Sequence, residues 1–141
     1  MYRHWKFASI PMVLVLALAA CLGPEEQAPG TLKLTTSIRR LNAEGQSTTV
    51  YITAVDENGE AGNGTVTLSA RVGSLAGGGP DVDLPLESGK ASTTYACQRA
   101  TTAGCLGSVP IRGTWNDVTG STSVVLLASD AGTSGGTDAG L

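Results

Sequence analysis

Aromatic residues make up only 4% of the 141-residue chain, and past Cys21 only Tyr51, Tyr95 and Trp115 remain. There is little from which to build a stacking platform for sugars or single-stranded nucleic acid. A core must therefore come from Val, Leu, Ile and Ala. The one histidine, His4, stands within the first twenty residues. If those residues are removed, Ser–His, Cys–His and His–metal chemistry goes with them. Charged residues are only 15%, nine basic against twelve acidic, for a net charge of −3. No cluster of Lys and Arg marks a nucleic-acid footprint. Long apolar runs are missing too. The run Phe7 to Ala20 holds 14 uncharged residues, short of the ~20 a membrane-spanning helix needs. Past Cys21 no window sustains the i, i+3, i+4 apolar spacing of an amphipathic helix.

What is present begins with Met-Tyr-Arg-His-Trp-Lys, two positive charges without an acid, followed by that apolar run. A basic segment, an apolar segment and small residues at Ala17, Ala19 and Ala20 are the layout of a secretory signal. Leu18-Ala19-Ala20-Cys21 resembles a bacterial lipobox. The resemblance implies cleavage between Ala20 and Cys21, with residues 1–20 as the signal peptide. It also implies that the Cys21 thiol is alkylated by diacylglycerol, a covalent acyl lipid in place of any other cofactor. Two readings compete: an ordinary cut after Ala19, since Ala17-Leu18-Ala19 is small-x-small, and an uncleaved anchor. Cleavage at Cys21 would remove Arg3 and Lys6 but no acid, taking the net charge to −5. Leu22 stands where an Asp marks inner-membrane retention in many Gram-negative lipoproteins. The resemblance thus implies a lipid anchor in the cell envelope, at the outer membrane if the source is Gram-negative.

Residues 21–30 read as the lipidated cysteine and a flexible linker, with two prolines, two acids and no periodicity after Cys21. Fully extended, such a linker reaches about 30 Å, which would hold a folded domain close to the membrane.

From Thr31 to about residue 128 the sequence alternates with period two. Leu32, Leu34 and Ile38 share a parity, as do Val50, Ile52 and Ala54, and then Val66, Leu68, Ala70 and Val72. Further runs are Val82–Leu86, Ala91–Cys97, Val109–Trp115 and Ser121–Leu127. Alternation rich in Thr and Val predicts strands. The breaks carry turn residues: Asn42–Gly45, Glu57–Gly59, Gly77–Pro80, Ser88-Gly89 and Thr119-Gly120. About seven short strands in ~100 residues predict an all-β, antiparallel β-sandwich. Pro85 and Pro110 lack a ladder N–H, which predicts edge strands or bulges there.

The phrases Asn42–Val50, Val55–Gly59, Gly64–Leu75, Ser88–Tyr95 and Gly107–Trp115 together resemble a bacterial Ig-like domain of the Big-1 group. That group occurs in invasin- and intimin-like adhesins. The resemblance covers residues 31–128 and implies an Ig-like sandwich with a structural or adhesive role. Two features depart from it: such domains usually stand in tandem, and the Gly-rich insert and the Cys97–Cys105 loop are not part of the common pattern.

Cysteine count ties these readings together. Three cysteines are an odd number for an exported chain. With Cys21 acylated, Cys97 and Cys105 form an even pair, read as a disulfide across a hairpin neck. The 97–105 spacing fits neither C-x₂₋₄-C metal sites nor C-x-x-C redox chemistry. A loop so bracketed, carrying Arg99, is also a candidate recognition tip. Asp81 and Asp83 share a strand face, where paired carboxylates are candidates for acid–base work in a hydrolase. Asp81, Asp83 and Glu87 are alternatively weak calcium candidates, as is Asp56–Glu60, since Ca²⁺ takes several hard oxygens. Against these stands the reading of solvated turns and loop edges. Arg39-Arg40 reads as a solvated pair at a strand end, or as a contact to anionic headgroups. Residues 129–141, small and polar with few apolar side chains, are expected to be a disordered tail.

The sequence thus predicts a non-enzymatic lipoprotein that meets the membrane through its lipid and a protein partner through loops or an exposed edge. A small accessory lipoprotein docking on a larger envelope assembly is the second reading. No nucleic acid and no small-molecule substrate are expected.

Overall fold

The computed structural model describes residues 29–128. The readings placed on the signal segment, on Ala20 and Cys21, on residues 22–28 and on the tail 129–141 lie outside the described residues. The elements are β1 Thr31–Thr36, β2 Arg40–Asn42, β3 Glu44–Val55, β4 Thr65–Ala70, β5 Ser74–Leu75, β6 Asp81–Pro85, β7 Lys90–Gln98, β8 Gly107–Trp115 and β9 Val118–Leu127. They form a four-stranded sheet in the order β1-β3-β7-β5 and a five-stranded sheet in the order β2-β9-β8-β4-β6. The two sheets form an Ig-like β-sandwich.

The period-two pattern explains the packing. In β4, Val66, Leu68 and Ala70 are buried while Thr65, Thr67 and Ser69 face solvent. The same alternation buries Val50, Ile52 and Ala54 from β3, Val109 and Ile111 from β8, and Val124 and Leu126 from β9. Each fully buried aliphatic side chain is worth about 1.5–3 kcal/mol, so this interior can stabilise the fold with few aromatics.

All seven anticipated strands have a counterpart in β1, β3, β4 and β6 to β9. The structure adds two. β2 comes from the stretch between the Arg39-Arg40 pair read at a strand end and the turn read at Asn42–Gly45, and it pairs parallel to β9, with Arg40 opposite Val125 and Asn42 opposite Leu127. The chain leaves the first sheet after Thr36 and crosses to the second through Ser37–Arg39. Thr48, 2% exposed, holds that crossing: its hydroxyl accepts from the Ile38 N–H at 2.9 Å and donates to the Ile38 carbonyl at 3.0 Å. Ile38 therefore does not continue the inward row of Leu32 and Leu34, and it is 41% exposed. β5 holds two residues, Ser74 and Leu75, opposite Ala96 and Tyr95 of β7. Two residues carry no readable period.

Thr119-Gly120 is not a turn. The β8–β9 hairpin closes at Asn116-Asp117, both at positive φ (43° and 64°), the pattern of a type I′ turn, which Asn and Asp tolerate. Gly120 lies inside β9 opposite Gly113. A Cβ at Gly120 would overlap the Leu32 carbonyl oxygen and crowd Leu34. Its role is to let β1 approach β9 across the sandwich.

The prolines divide. Pro85 ends β6, an edge strand of the second sheet, as anticipated. Pro110 lies in β8, an interior strand, which corrects the edge assignment. The fold accepts it because β4 pairs with β8 only as far as Ile111, so no β4 partner faces Pro110. The edge strand β6 carries Asp81, Asp83 and Pro85 on its exposed positions; charge and proline on an edge discourage pairing with another chain. At the opposite edge, the Asn42 N–H of β2 donates to Gln46 Oε1 at 2.8 Å.

Candidate functional site

The two ends of the sandwich differ. At the end where Gly30 enters, the β3–β4 loop, the β6–β7 turn and the β8–β9 hairpin come together, carrying Asp56, Glu57, Glu60, Glu87 and Asp117. Trp115 closes this end. It is 4% exposed, and its indole Nε1 donates to the Asn63 carbonyl at 2.7 Å. The ring rests on Gly62, where an added Cβ would come within 2.7 Å of Trp115 Cζ2.

The opposite end holds the Cys97–Cys105 disulfide, Cα–Cα 5.7 Å. Because β7 and β8 belong to different sheets, the bond staples a crossover between sheets. This corrects the hairpin-neck reading. Both cysteines are buried. Inside the loop, the Thr101 and Thr102 N–H groups donate to the Gln98 carbonyl, and the Arg99 N–H donates to the Ala43 carbonyl at 2.9 Å. The Arg99 residue is exposed. Next to this end, Tyr95 is fully buried and donates its hydroxyl to the Val72 carbonyl at 2.8 Å. Burial pushes the phenol up to about 12, against a smaller lowering effect of the Arg71 charge.

The carboxylates named from sequence do not converge. Among the described residues no group of three or more His, Cys, Asp and Glu side chains is placed to hold a metal ion. Asp83 accepts a hydrogen bond from Thr67 Oγ1 at 2.6 Å, and it lies with Asp81 on the solvent side of the edge strand. The Asp56 carboxylate is taken up by its own turn, accepting from the Asn58 and Glu60 N–H groups, each at 2.9 Å. Glu87 pairs through its backbone with Lys90 across the β6–β7 turn, at 2.8 and 3.0 Å. An open groove of about 640 Å³ runs between Leu84 and Pro85 of β6 and Lys90 and Ser92 of β7, with Tyr51 along it. Glu87 and Lys90 are its only ionisable side chains apart from Tyr51. Nothing there pairs a nucleophile with a base.

A surface missed by sequence reasoning lies on the outer face of the five-stranded sheet, toward the disulfide end. Val124 and Leu126 point into the core, so Val125 and Leu127 of the same run point out. Leu127 and Leu106, which precedes β8, are 46% and 50% exposed. Arg40 stands beside Val125 in register. On the other side, Ser108 of β8 is also in register with Val125, and its carbonyl accepts from Arg71 Nη2 at 3.4 Å. The signal for this strip was available: Val124-Val-Leu-Leu127 is continuously apolar in a strand with only one buried face.

No protein-family model matches the chain, and no curated protein is significantly similar to it. Among solved structures, the D00–D0 domain of intimin is similar over 72% of this chain and 48% of its own, at 17% identity and a TM-score of 0.49. Domains 4 and 5 of the S-layer protein SbsC are similar over 70% of this chain and 54% of theirs, at 17% identity and a TM-score of 0.46. BslA, a bacterial hydrophobin, is similar over 70% of this chain and 99% of its own, at 14% identity and a TM-score of 0.45. The chain spans about half the length of the first two. At these values the fold stands on the two sheets themselves.

Proposed function

We propose that this chain is a lipid-anchored, non-catalytic Ig-like module of the cell envelope, with a structural or adhesive role carried by protein contacts. The observation that carries the reading is the Cys97–Cys105 bond. Of three cysteines, two are joined to each other, and the third, Cys21, ends the lipobox-like Leu18-Ala19-Ala20-Cys21. A thiol at that place is what acylation requires. The dispersed carboxylates and the lack of histidine after His4 argue against hydrolytic chemistry.

On this reading the domain has a direction. The linker joins at the end bearing Asp56, Glu57, Glu60, Glu87 and Asp117, and it reaches about 30 Å at most. The disulfide end then faces away from the membrane. Leu22, in place of Asp, favours the outer membrane in a Gram-negative source.

Metabolic labelling with palmitate, followed by membrane fractionation, tests the proposal. Wild-type protein should incorporate label and sediment with membranes, and Cys21→Ala should lose both. A Cys21→Ala variant that reaches mature size and still fractionates with membranes sinks the anchor.

A further inference from the structure

We infer that the outer face of the five-stranded sheet, near the disulfide end, docks an acidic polypeptide segment of a partner protein. Arg40 and Arg71 would grip its carboxylates on either side of the strip Leu106, Val125 and Leu127. This deepens the proposed protein-contact role, on which it rests, and it does not depend on the lipid.

The composition of this patch sets it apart from the rest of the surface. Farther along the same face the outward side chains are polar or charged: Ser121 on β9, Arg112 and Thr114 on β8, Ser69 on β4, and Asp81 and Asp83 on β6. Only near the disulfide end do apolar side chains take these outward positions. Three of the four large hydrophobics left exposed among the described residues, Ile38, Leu106 and Leu127, belong to this end. Apolar area flanked by arginine, with lysine absent, is the composition of protein interfaces. The two lysines of the described residues, Lys33 and Lys90, lie on the other sheet, in β1 and β7.

Charge sets the kind of partner. Arg39, Arg40, Arg71 and Arg99 lie toward the disulfide end and Arg112 farther along the same sheet, against Glu44 and Asp81 as the acids on that side, while five carboxylates gather at the opposite end. An acidic segment is drawn to one end and repelled from the other. Arginine suits the task because its planar fork binds carboxylates through paired hydrogen bonds. Arg40 and Ser108, where Arg71 rests, are separated by β9, so about 10 Å lies between the two grips. That distance is spanned by about three residues of extended chain. A Glu-Leu-Leu-Glu segment sets two carboxylates about that far apart and turns one of its leucines to Val125 and Leu127, since neighbouring side chains of an extended chain point to opposite faces. The shape of the site argues against a folded-over sugar chain, since no aromatic ring lies in the strip.

The test uses the full-length protein, both with its native N-terminus in detergent and as Cys21→Ala. A fluorescent peptide with a Glu-Leu-Leu-Glu core is titrated against Lys-Leu-Leu-Lys and Glu-Ser-Ser-Glu versions. Saturable binding of the first alone is expected, weakening as salt rises. Arg40→Glu with Arg71→Glu should weaken it at least tenfold, and Leu127→Ser about threefold. Lys33→Glu, on the other sheet, should leave it unchanged, and melting curves confirm that each variant is folded. Equal binding in both protein forms supports the inference even if the lipid proposal fails. Absence of saturable binding, indifference to the arginine double variant, or equal binding of the lysine peptide overturns it. So does full competition by heparin or phosphatidylglycerol vesicles, which would make the patch a general polyanion surface.

Discussion

At the end where Gly30 enters, the sandwich is shut by one large ring. Trp115 fills the gap between sheets, and a hydrogen bond to the Asn63 carbonyl fixes its orientation. Toward the other end a smaller ring, Tyr95, is buried with its hydroxyl on the Val72 carbonyl. The opening itself is closed by a covalent bond between sheets and by small hydroxyl contacts, with Thr48 holding the β1–β2 crossing. The difference shows how a domain poor in aromatics completes its core. It places its tryptophan at one opening and its disulfide at the other. The surfaces follow suit, with turns rich in carboxylates beside the tryptophan, and arginines and exposed leucines beside the disulfide.

That contrast can be broken from either side. Trp115→Ala should have the largest effect, about 4 kcal/mol of stability in chemical denaturation, because a buried ring is lost and the Asn63 carbonyl loses its donor. Breaking the disulfide, as Cys97→Ser with Cys105→Ser or with reductant, should cost about 2.5 kcal/mol by loop entropy. Hydrogen exchange sharpens the comparison. Without the disulfide, amides of the 97–105 loop should lose protection while the β8–β9 hairpin at Asn116-Asp117 keeps it. Thr48→Val, which keeps volume but strands the Ile38 backbone groups, should cost about 1–2 kcal/mol.

Tyr95→Phe should cost least at neutral pH, about 1 kcal/mol for the hydroxyl bond to Val72. Its signature is in the pH dependence. Burial raises the folded phenol from its ordinary 10.0 to about 12, so above pH 10 the unfolded chain gives up a proton that the folded chain keeps. Wild-type stability should therefore be flat below that range and fall as pH rises from 10 toward 12. The part of the slope due to this residue should be missing in Tyr95→Phe; identical slopes would show that the phenol is not the titrating group.

The strands were largely legible because each has one wet face, and Thr or Ser alternating with Val or Leu records it. What escaped had physical reasons. β5 is too short to show a period. β2 is recruited to β9 by a crossing that depends on Thr48, eleven or more residues away from Ser37, and no local pattern encodes it. Gly120 looked like turn chemistry because sequence does not distinguish a glycine needed for φ from one needed for space. Of the candidate sites, the pairing of Cys97 with Cys105 could be read from counting. Its bridging of two sheets could not, since that depends on which sheet each strand joins. The strip at Val125 and Leu127 was visible as an unbroken apolar run, yet the arginines beside it come from β2 and from the end of β4, far apart in sequence.

The central claim, that the exported chain begins at a lipid-bearing Cys21, is tested most directly by intact mass of the protein recovered from membranes. The account predicts a chain starting at Cys21, carrying diacylglycerol on its thiol and lacking two hydrogens for the internal disulfide. A chain that starts at Ala20, or one that starts at Cys21 with a free thiol, would contradict it.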